Sequence, residues 1–572
     1  MRFTSRPVRA AATLLPLAAA FASAQNSSSS LPIVDLGYQL QQASGFNETA
    51  AYYNFSNIRY AAPPVADLRF RAPVSPVTDR SSVQDGSELR ICHQANPAWA
   101  AIAAEWLPGY LVAGILPNVS ATGTTATTGT ANITTLPGET EDCLFLDVVV
   151  PEKIFERAGN ASGAPVIVWI HGGGYTSGSK ISYGDPAGLI ARSQTGSSDG
   201  VVYVSINYRL GAFGWLSGPT YQKDATANLG LYDQRFALEW VQKNIHLFGG
   251  DKNRVTVVGE SAGAGSIMHQ ITAFGGSAPS LFQQAVPQSP AWLQLSSPYE
   301  QEQSFQKYLK FLNVTSLAEA RDLTEEQLFL GNVALIGTSV YSSFTVGPSV
   351  DGSIVPQDPK YLLNHGQFDK SVRIFSGHTT NEGILFTPPL TNETEFTAFL
   401  SAALPNAKPA VISYITETLY PPVYDGSYGY TDLISRLAFA LQESSITCNA
   451  NALDRAFTDL GNDTYAYVFG VDYGVHGQDN PYTFYTPGVP DATGGLVSLD
   501  SANETVAFAL QDYITSFAID GVPESGVQGV LAEVPVYGED GSVVKLTSSG
   551  VSVAKDPAAN ERCRWWQLGL YN

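Results

Sequence analysis

The pentapeptide Gly259-Glu260-Ser261-Ala262-Gly263 follows an apolar run containing Val255, Val257 and Val258 and precedes an alanine-rich, helix-like stretch. A serine held at a sharp strand-to-helix corner projects its hydroxyl outward, and glycines without Cβ atoms let the strand and helix approach. Ser261 is therefore the candidate nucleophile. A second stretch, His171-Gly172-Gly173-Gly174-Tyr175, closes the apolar run 166–170. Consecutive glycines let the backbone turn N–H groups toward one point, where a negative oxygen is stabilised. The expected donors are the N–H groups of Gly173, Gly174 and Ala262. A serine hydroxyl is a poor nucleophile at neutral pH and needs a base, for which histidine has the suitable pKa. The chain has seven histidines. If serine, acid and histidine follow in that order, His269 lies too near Ser261 to fold back on it. His365 and His378 leave little room for a preceding strand that carries the acid. His476 remains, just beyond the apolar stretch 465–472. Glu382 is the candidate acid, because Asn381-Glu382-Gly383 is a turn after 373–377 from which a carboxylate can point inward; Asp351 is the alternative. Taken singly, a capping serine, a glycine turn and a surface histidine are ordinary structural features, and only their coincidence carries the inference. Glu260, beside the nucleophile, reads equally as electrostatic support for the imidazolium and as a structural carboxylate.

These residues need strands that end together. Apolar runs at 144–150, 166–170, 201–206 and 255–258 alternate with helix-like segments, the clearest from about Asn228 to His246. Such alternation implies an α/β protein with a large, mainly parallel mixed sheet covered by helices on both faces. Ligands in such sheets bind at the carboxyl ends of the strands, where the candidate motifs fall. Residues 25–90 read as an irregular strand region whose prolines forbid a helix. Between Cys92 and Cys143, Trp99, Ile102, Trp106, Leu107, Tyr110 and Leu111 recur at helical spacing on one apolar face. This segment reads as a buried packing helix or cavity wall, with a lid that opens on lipid as the alternative. The small, polar stretch 121–135 after it reads as flexible. With no long low-complexity linker after about residue 140, residues 25–572 are expected to form one large domain with insertions.

Arg2, Arg6 and Arg9 precede an Ala/Leu-rich stretch ending in Ala22-Ser23-Ala24, which reads as a secretory signal over 1–24, cleaved before Gln25. The mature protein is then expected to be secreted, with no integral membrane segment. A formal charge of -21 repels nucleic acid and anionic membrane surfaces, which excludes both as principal partners. Ten Asn-x-Ser/Thr sequons, at Asn26, Asn47, Asn54, Asn118, Asn132, Asn160, Asn313, Asn392, Asn462 and Asn503, suggest a glycoprotein. The four cysteines, Cys92, Cys143, Cys448 and Cys563, allow three pairings, of which the sequence-local one is our expectation. No two Cys or His residues sit at ligand spacing, so no metal site is expected.

Together these residues resemble the type-B carboxylesterase and lipase family, which includes the cholinesterases. The resemblance rests on 141–151 (EDCLFLDVVVP), on HGGGY, on the long block from Asn228 to Ser266, on Asn381-Glu382-Gly383 and on His476-Gly477. It implies an alpha/beta-hydrolase fold with lid or gorge insertions. It also implies a carboxylic-ester hydrolase that works through Ser261, His476 and Glu382 and an acyl-enzyme, without a cofactor, on a small-molecule or lipid ester. A disulfide Cys92–Cys143 closing a loop over the active site, a second one, Cys448–Cys563, reaching the C-terminal helix, and an ion pair of Arg69 with Glu141 are further implications. Tyr175 stands where the family commonly has Phe, which would add a hydroxyl to the pocket. Phe344 and Val346 precede the Pro348–Gly352 block, where acyl-pocket residues lie in relatives, and imply a less crowded acyl site. A lidded lipase is the alternative reading, and the non-enzymatic adhesion role of some relatives is disfavoured because serine, acid and histidine are all present.

Overall fold

The computed structural model of the protein describes residues 31–115, 135–159, 162–292, 297–489 and 503–571. The expected signal segment 1–24, nearly all of the polar stretch 121–135 and the sequons Asn26, Asn118, Asn132 and Asn160 lie outside the described residues. The strands are β1 (Ile33–Asp35), β2 (Leu40–Gln42), β3 (Gly45–Asn47), β4 (Tyr52–Arg59), β5 (Val83–Gln84), β6 (Phe145–Pro151) and β7 (Ala164–Ile170). They continue with β8 (Val202–Ile206), β9 (Gly250–Glu260), β10 (Gln284–Gln288), β11 (Arg373–Thr379), β12 (Tyr465–Gly470), β13 (Ser542–Thr547) and β14 (Gly550–Lys555). An 11-stranded sheet runs in the order β14-β13-β12-β11-β10-β9-β7-β8-β6-β4-β3, and β1, β2 and β5 form a small separate sheet. Neighbours from β8 through β7, β9, β10, β11 and β12 to β13 pair in parallel, and the flanking pairs are antiparallel.

The sheet is central because its strands are apolar on both faces, which leaves no side for water. On β7, Val166, Val168 and Ile170 enter one core while Ile167 and Trp169 enter the other, as the two-residue repeat of a strand requires. Helices Leu229–Asn244, Ala262–Ile271 and Cys448–Thr458 cover the first face, and helices Ala187–Ser193 and Glu504–Asp520 cover the second. This is the mixed sheet between two helical layers that the alternation of apolar runs implies. The proline-containing stretch near residue 65 forms only a single turn of 3-10 helix, Ala66–Leu68. No helix among the described residues is long and apolar enough to cross a membrane.

The apolar segment after Cys92 forms the helix Ala98–Ala113, which stops at Gly114 in the left-handed region (φ 64). Trp99, Ala103, Trp106 and Leu107 are buried. The Trp99 indole donates to the Ser343 carbonyl at 2.7 Å and packs on the rings of Tyr341, Phe344 and Phe386. Trp106 and Leu107 join an apolar cluster with Ile384, Phe396, Leu437 and Trp566. The aromatic face of this helix thus backs a wall of other side chains.

Two disulfides are formed, Cys92–Cys143 and Cys448–Cys563. The second joins helix Cys448–Thr458 to helix Glu561–Gln567. Beside the first, Arg69 grips Glu141 with two parallel bonds, Nε to Oε1 at 2.8 Å and Nη2 to Oε2 at 2.5 Å. Its remaining nitrogen donates to the carbonyls of Arg321 and Leu323. Both side chains are largely removed from water, so deleting one partner strands a buried charge. Arg69→Ala is expected to lower the unfolding free energy by about 3 kcal/mol, read from the urea midpoint; an unchanged midpoint would contradict a buried, structural pair.

Candidate active site

β9 runs straight into the turn at Ser261, and helix Ala262–Ile271 begins at the next residue. Ser261 has φ 57 and ψ -121, a conformation that costs energy for any residue with a side chain and persists only where its surroundings enforce it. The enforcing contact is with β7. A Cβ on Gly263 would lie 2.0 Å from the Ile170 carbonyl oxygen, and one on Gly259 2.7 Å from the same atom. Only glycine lets the elbow descend onto the end of β7, where the turn His171–Tyr175 starts.

His476 follows β12, and Glu382 follows β11; an isolated bridge between Asn381 and Val475 holds the two loops side by side. His476 Nε2 lies 2.8 Å from Ser261 Oγ, and Nδ1 lies 2.5 Å from Glu382 Oε2. A carboxylate only accepts, so Nδ1 donates to it and Nε2 is left to take the serine proton. The other Glu382 oxygen accepts from Ser289 Oγ at 2.7 Å and from Thr379 N–H at 2.6 Å. Burial works against the Glu382 carboxylate, but the His476 charge and these hydrogen bonds outweigh it and hold the carboxyl below its usual value. Burial likewise pulls His476 down, while Glu382, then Glu260 and Asp479, raise it well above an ordinary imidazole. Glu260 Oε1 stands 3.4 Å from His476 Nε2, and burial pushes its carboxyl up to about 8 against the pull of His476.

Of the residues set aside in the sequence, Asp351 organises its own turn, accepting from Asn228 Nδ2 and from the N–H groups of Ser353 and Val355. His269 is buried without a hydrogen-bond partner among the described residues, and His365 bonds to the Tyr361 carbonyl. None of these contacts the serine.

The N–H groups of Gly173, Gly174 and Ala262 donate to no acceptor among the described residues. Gly173 and Gly174 have φ of 99 and 61, and a Cβ on Gly174 would collide with the Phe344 ring at 2.2 Å. A cavity of about 320 Å³ opens from Ser261 and Ala262 and is lined by Tyr175, Phe344 and Val346, as well as by Trp215, Phe386 and Trp566. Tyr175 is a correction to the expected added hydroxyl: its ring lines the cavity, but its hydroxyl donates to the Ala291 carbonyl at 3.0 Å and is engaged with the protein, because a buried phenol must find an acceptor. Ser289, Thr379, Trp215 and Phe386 were not legible as site residues. For Ser289 the available signal is its place just after an apolar strand end; the others come together only through long-range packing.

A parallel sheet covered on both faces, with a strained serine elbow at its carboxyl edge, defines an alpha/beta-hydrolase. The model of the carboxylesterase family matches residues 39–566, and the chain belongs to that family and is a carboxylic-ester hydrolase. It is 40% identical over 552 residues to the carboxylesterase patB of Penicillium expansum, covering 94% of this chain and 96% of that one. It is 30% identical over 392 residues to a secreted lipase of Arthroderma benhamiae, covering 67% and 72%. Among solved structures, Aspergillus niger EstA superposes with a TM-score of 0.76 at 25% identity, covering 94% of this chain and 98% of that chain.

The contact between Gly263 and Ile170 is a structural condition for the elbow. Gly263→Ala is expected to cost about 3 kcal/mol of stability, and thermal unfolding that stays at the wild-type temperature would show that the elbow does not need this approach.

Proposed function

We propose that the protein hydrolyses carboxylic esters through an acyl-enzyme on Ser261. The observation that supports this most is the hydrogen-bonded series Ser261, His476, Glu382 at the edge of an open cavity. Ser261 Oγ attacks the ester carbonyl carbon as His476 Nε2 takes its proton, and the carbonyl oxygen becomes an oxyanion. The unused N–H groups of Gly173, Gly174 and Ala262 stabilise that oxygen. As the tetrahedral species collapses, His476 returns the proton to the departing alcohol. Water then repeats the sequence on the acyl-serine, releasing the acid. Glu382 keeps the imidazole in the required tautomer and stabilises its charged form. No cofactor enters these steps.

The cavity is large enough for a drug-sized ester and mostly carbon-lined beside the serine. Since Trp99 of helix Ala98–Ala113 packs on Tyr341, Phe344 and Phe386 and Trp106 and Leu107 are buried, the reading favoured is a carboxylesterase with a standing cavity wall rather than a lidded lipase. Initial rates on p-nitrophenyl esters from acetyl to palmitoyl test this: saturable rates on short acyl chains, without activation by an emulsion, are expected. A rate that appears only with emulsified long chains would favour the lid.

Export fits the N-terminal signal pattern, the two disulfides and the similarity to the secreted lipase of Arthroderma benhamiae. Of the described sequons, Asn313, Asn392 and Asn462 are exposed and are the proposed glycan sites. Protein recovered from culture medium is expected to begin at Gln25 and to gain electrophoretic mobility after endoglycosidase treatment; an intact N-terminus with unchanged mobility would contradict both.

Ser261→Ala is expected to reduce kcat on the order of 10⁴-fold or more with the fold intact. His476 must be neutral to accept a proton, and its pKa is raised by Glu382 and Glu260. Activity therefore falls as pH drops through that raised value, so the acid limb of kcat/KM is expected above the ordinary imidazole value of ~6.5. A limb well below it would contradict the charge arrangement.

A further inference from the structure

β11 carries a second buried histidine that the ester chemistry above does not use. His378 is 4% exposed, and both ring nitrogens face acceptors. Nδ1 lies 2.9 Å from the Thr379 carbonyl oxygen and Nε2 lies 3.1 Å from Asp556 Oδ1. A carbonyl oxygen only accepts, so Nδ1 carries a hydrogen. Asp556, just past β14, accepts at both oxygens: Ala558 N–H donates to Oδ1 at 2.7 Å and the Tyr537 hydroxyl donates to Oδ2 at 2.6 Å. Asn451 Nδ2 donates to the Tyr537 oxygen at 2.8 Å, which leaves the phenol proton for Asp556. Burial works against the Asp556 carboxylate, but the hydrogen bond and charge of His378 outweigh it and hold the carboxyl below its usual range, so the shared hydrogen sits on Nε2.

His378 is thus an imidazolium paired with a carboxylate inside the protein. Burial alone would strip its charge, but the hydrogen bond and charge of Asp556, the Thr379 carbonyl and Glu382 outweigh it and raise His378 to about 9. The other ionisable groups facing the pair are Tyr537, Glu382 and Asp454. Asp454, from helix Cys448–Thr458, accepts from Ser376 Oγ, and burial raises its carboxyl well above the usual range.

The connection to the site runs through Thr379. His378 holds the Thr379 carbonyl, and the Thr379 N–H donates to Glu382 Oε1. We propose that His378, clamped by Asp556, is a positioning residue for Glu382: it fixes the backbone that carries the carboxylate and offsets the charge of Asp556 with its own. The inference rests on Glu382 being the acid that serves His476. Without the imidazolium, the cation that interacts with Glu382 would be gone and the charge of Asp556 left uncompensated, so that Glu382 and His476 would sit in more negative surroundings. Both would then hold their protons to higher pH, because a nearby anion disfavours a second anion and favours a cation.

The test is steady-state hydrolysis of a soluble p-nitrophenyl ester across the acid limb, with folding checked by circular dichroism. His378→Gln is expected to lower kcat about tenfold, leave KM unchanged and move the acid limb to higher pH. The double variant His378→Gln/Asp556→Asn, which removes both charges, is expected to bring the limb back toward wild type; a packing defect alone would not show this rescue. An acid limb that stays in place in folded His378→Gln overturns the proposal. If that variant does not fold, Asp556→Asn, which keeps the ring, is expected to lower kcat at constant KM, and an unchanged kcat overturns it instead. Ser261→Ala run in parallel separates the two readings: if it stays active, the assignment of the serine, histidine and acid has failed, whereas an inactive Ser261→Ala beside an unaltered His378→Gln sinks the positioning role alone.

Discussion

The serine turn depends on a close approach between two backbones, with no side chain between them. The elbow at Ser261 descends on the Ile170 carbonyl so closely that Gly259 and Gly263 leave no space for a methyl group. Because β7 and β9 are also paired neighbours, the glycine turn after β7 and the first turn of the helix after β9 open toward the same point. Three backbone N–H groups there have no acceptor among the described residues. The strained conformation of Ser261 is the local consequence of this approach, and the paired strands beneath it carry the strain.

The charges at the site follow a different logic from those of the whole molecule. The chain has a formal charge of -21, most of it solvated, but the groups around His476 are buried and act at short range. There, burial is the largest influence on every carboxyl and opposes ionisation. Glu382 escapes because His476, Ser289 and Thr379 all donate to it. Glu260, which has fewer donors, is pushed up by the same burial. Two carboxyl groups flanking one imidazole thus behave differently: the His476 charge and the donated hydrogen bonds outweigh burial at Glu382, whereas at Glu260 burial, with the charges of Asp479 and Glu382, prevails.

The cavity shows how much of an active site is built by elements remote in sequence. Tyr175 and Phe344 line the same cavity as Ser261, with Trp99 of helix Ala98–Ala113 packed edge-on against Phe344. Trp566, from the last helix, reaches the same space. The Cys448–Cys563 disulfide, the hydrogen bond from the Trp566 indole to the Tyr420 hydroxyl and the contact of Trp566 with the Tyr571 ring hold that end of the cavity. A carboxylesterase scaffold can therefore alter its cavity in segments far from the serine while the turn geometry at the sheet edge stays constant.

Sequence by itself determined the local parts. A glycine-flanked serine after a valine-rich run, a triple-glycine turn after another, and apolar stretches alternating with helical ones were legible, since each depends on neighbours within a few residues. Ser261, His476 and Glu382 could be named because turn chemistry and chain order left few candidates, and the structure brings those three side chains into hydrogen-bonding contact. Tertiary structure alone decided what depends on partners distant in sequence. It directed the Tyr175 hydroxyl to Ala291 rather than into the cavity, supplied Ser289 to the acid, and turned His378 from a discarded candidate base into half of a buried ion pair with Asp556. The reason is physical: a side chain's role is set by which groups share its burial, and burial is a property of the folded whole that no local pattern of residues contains.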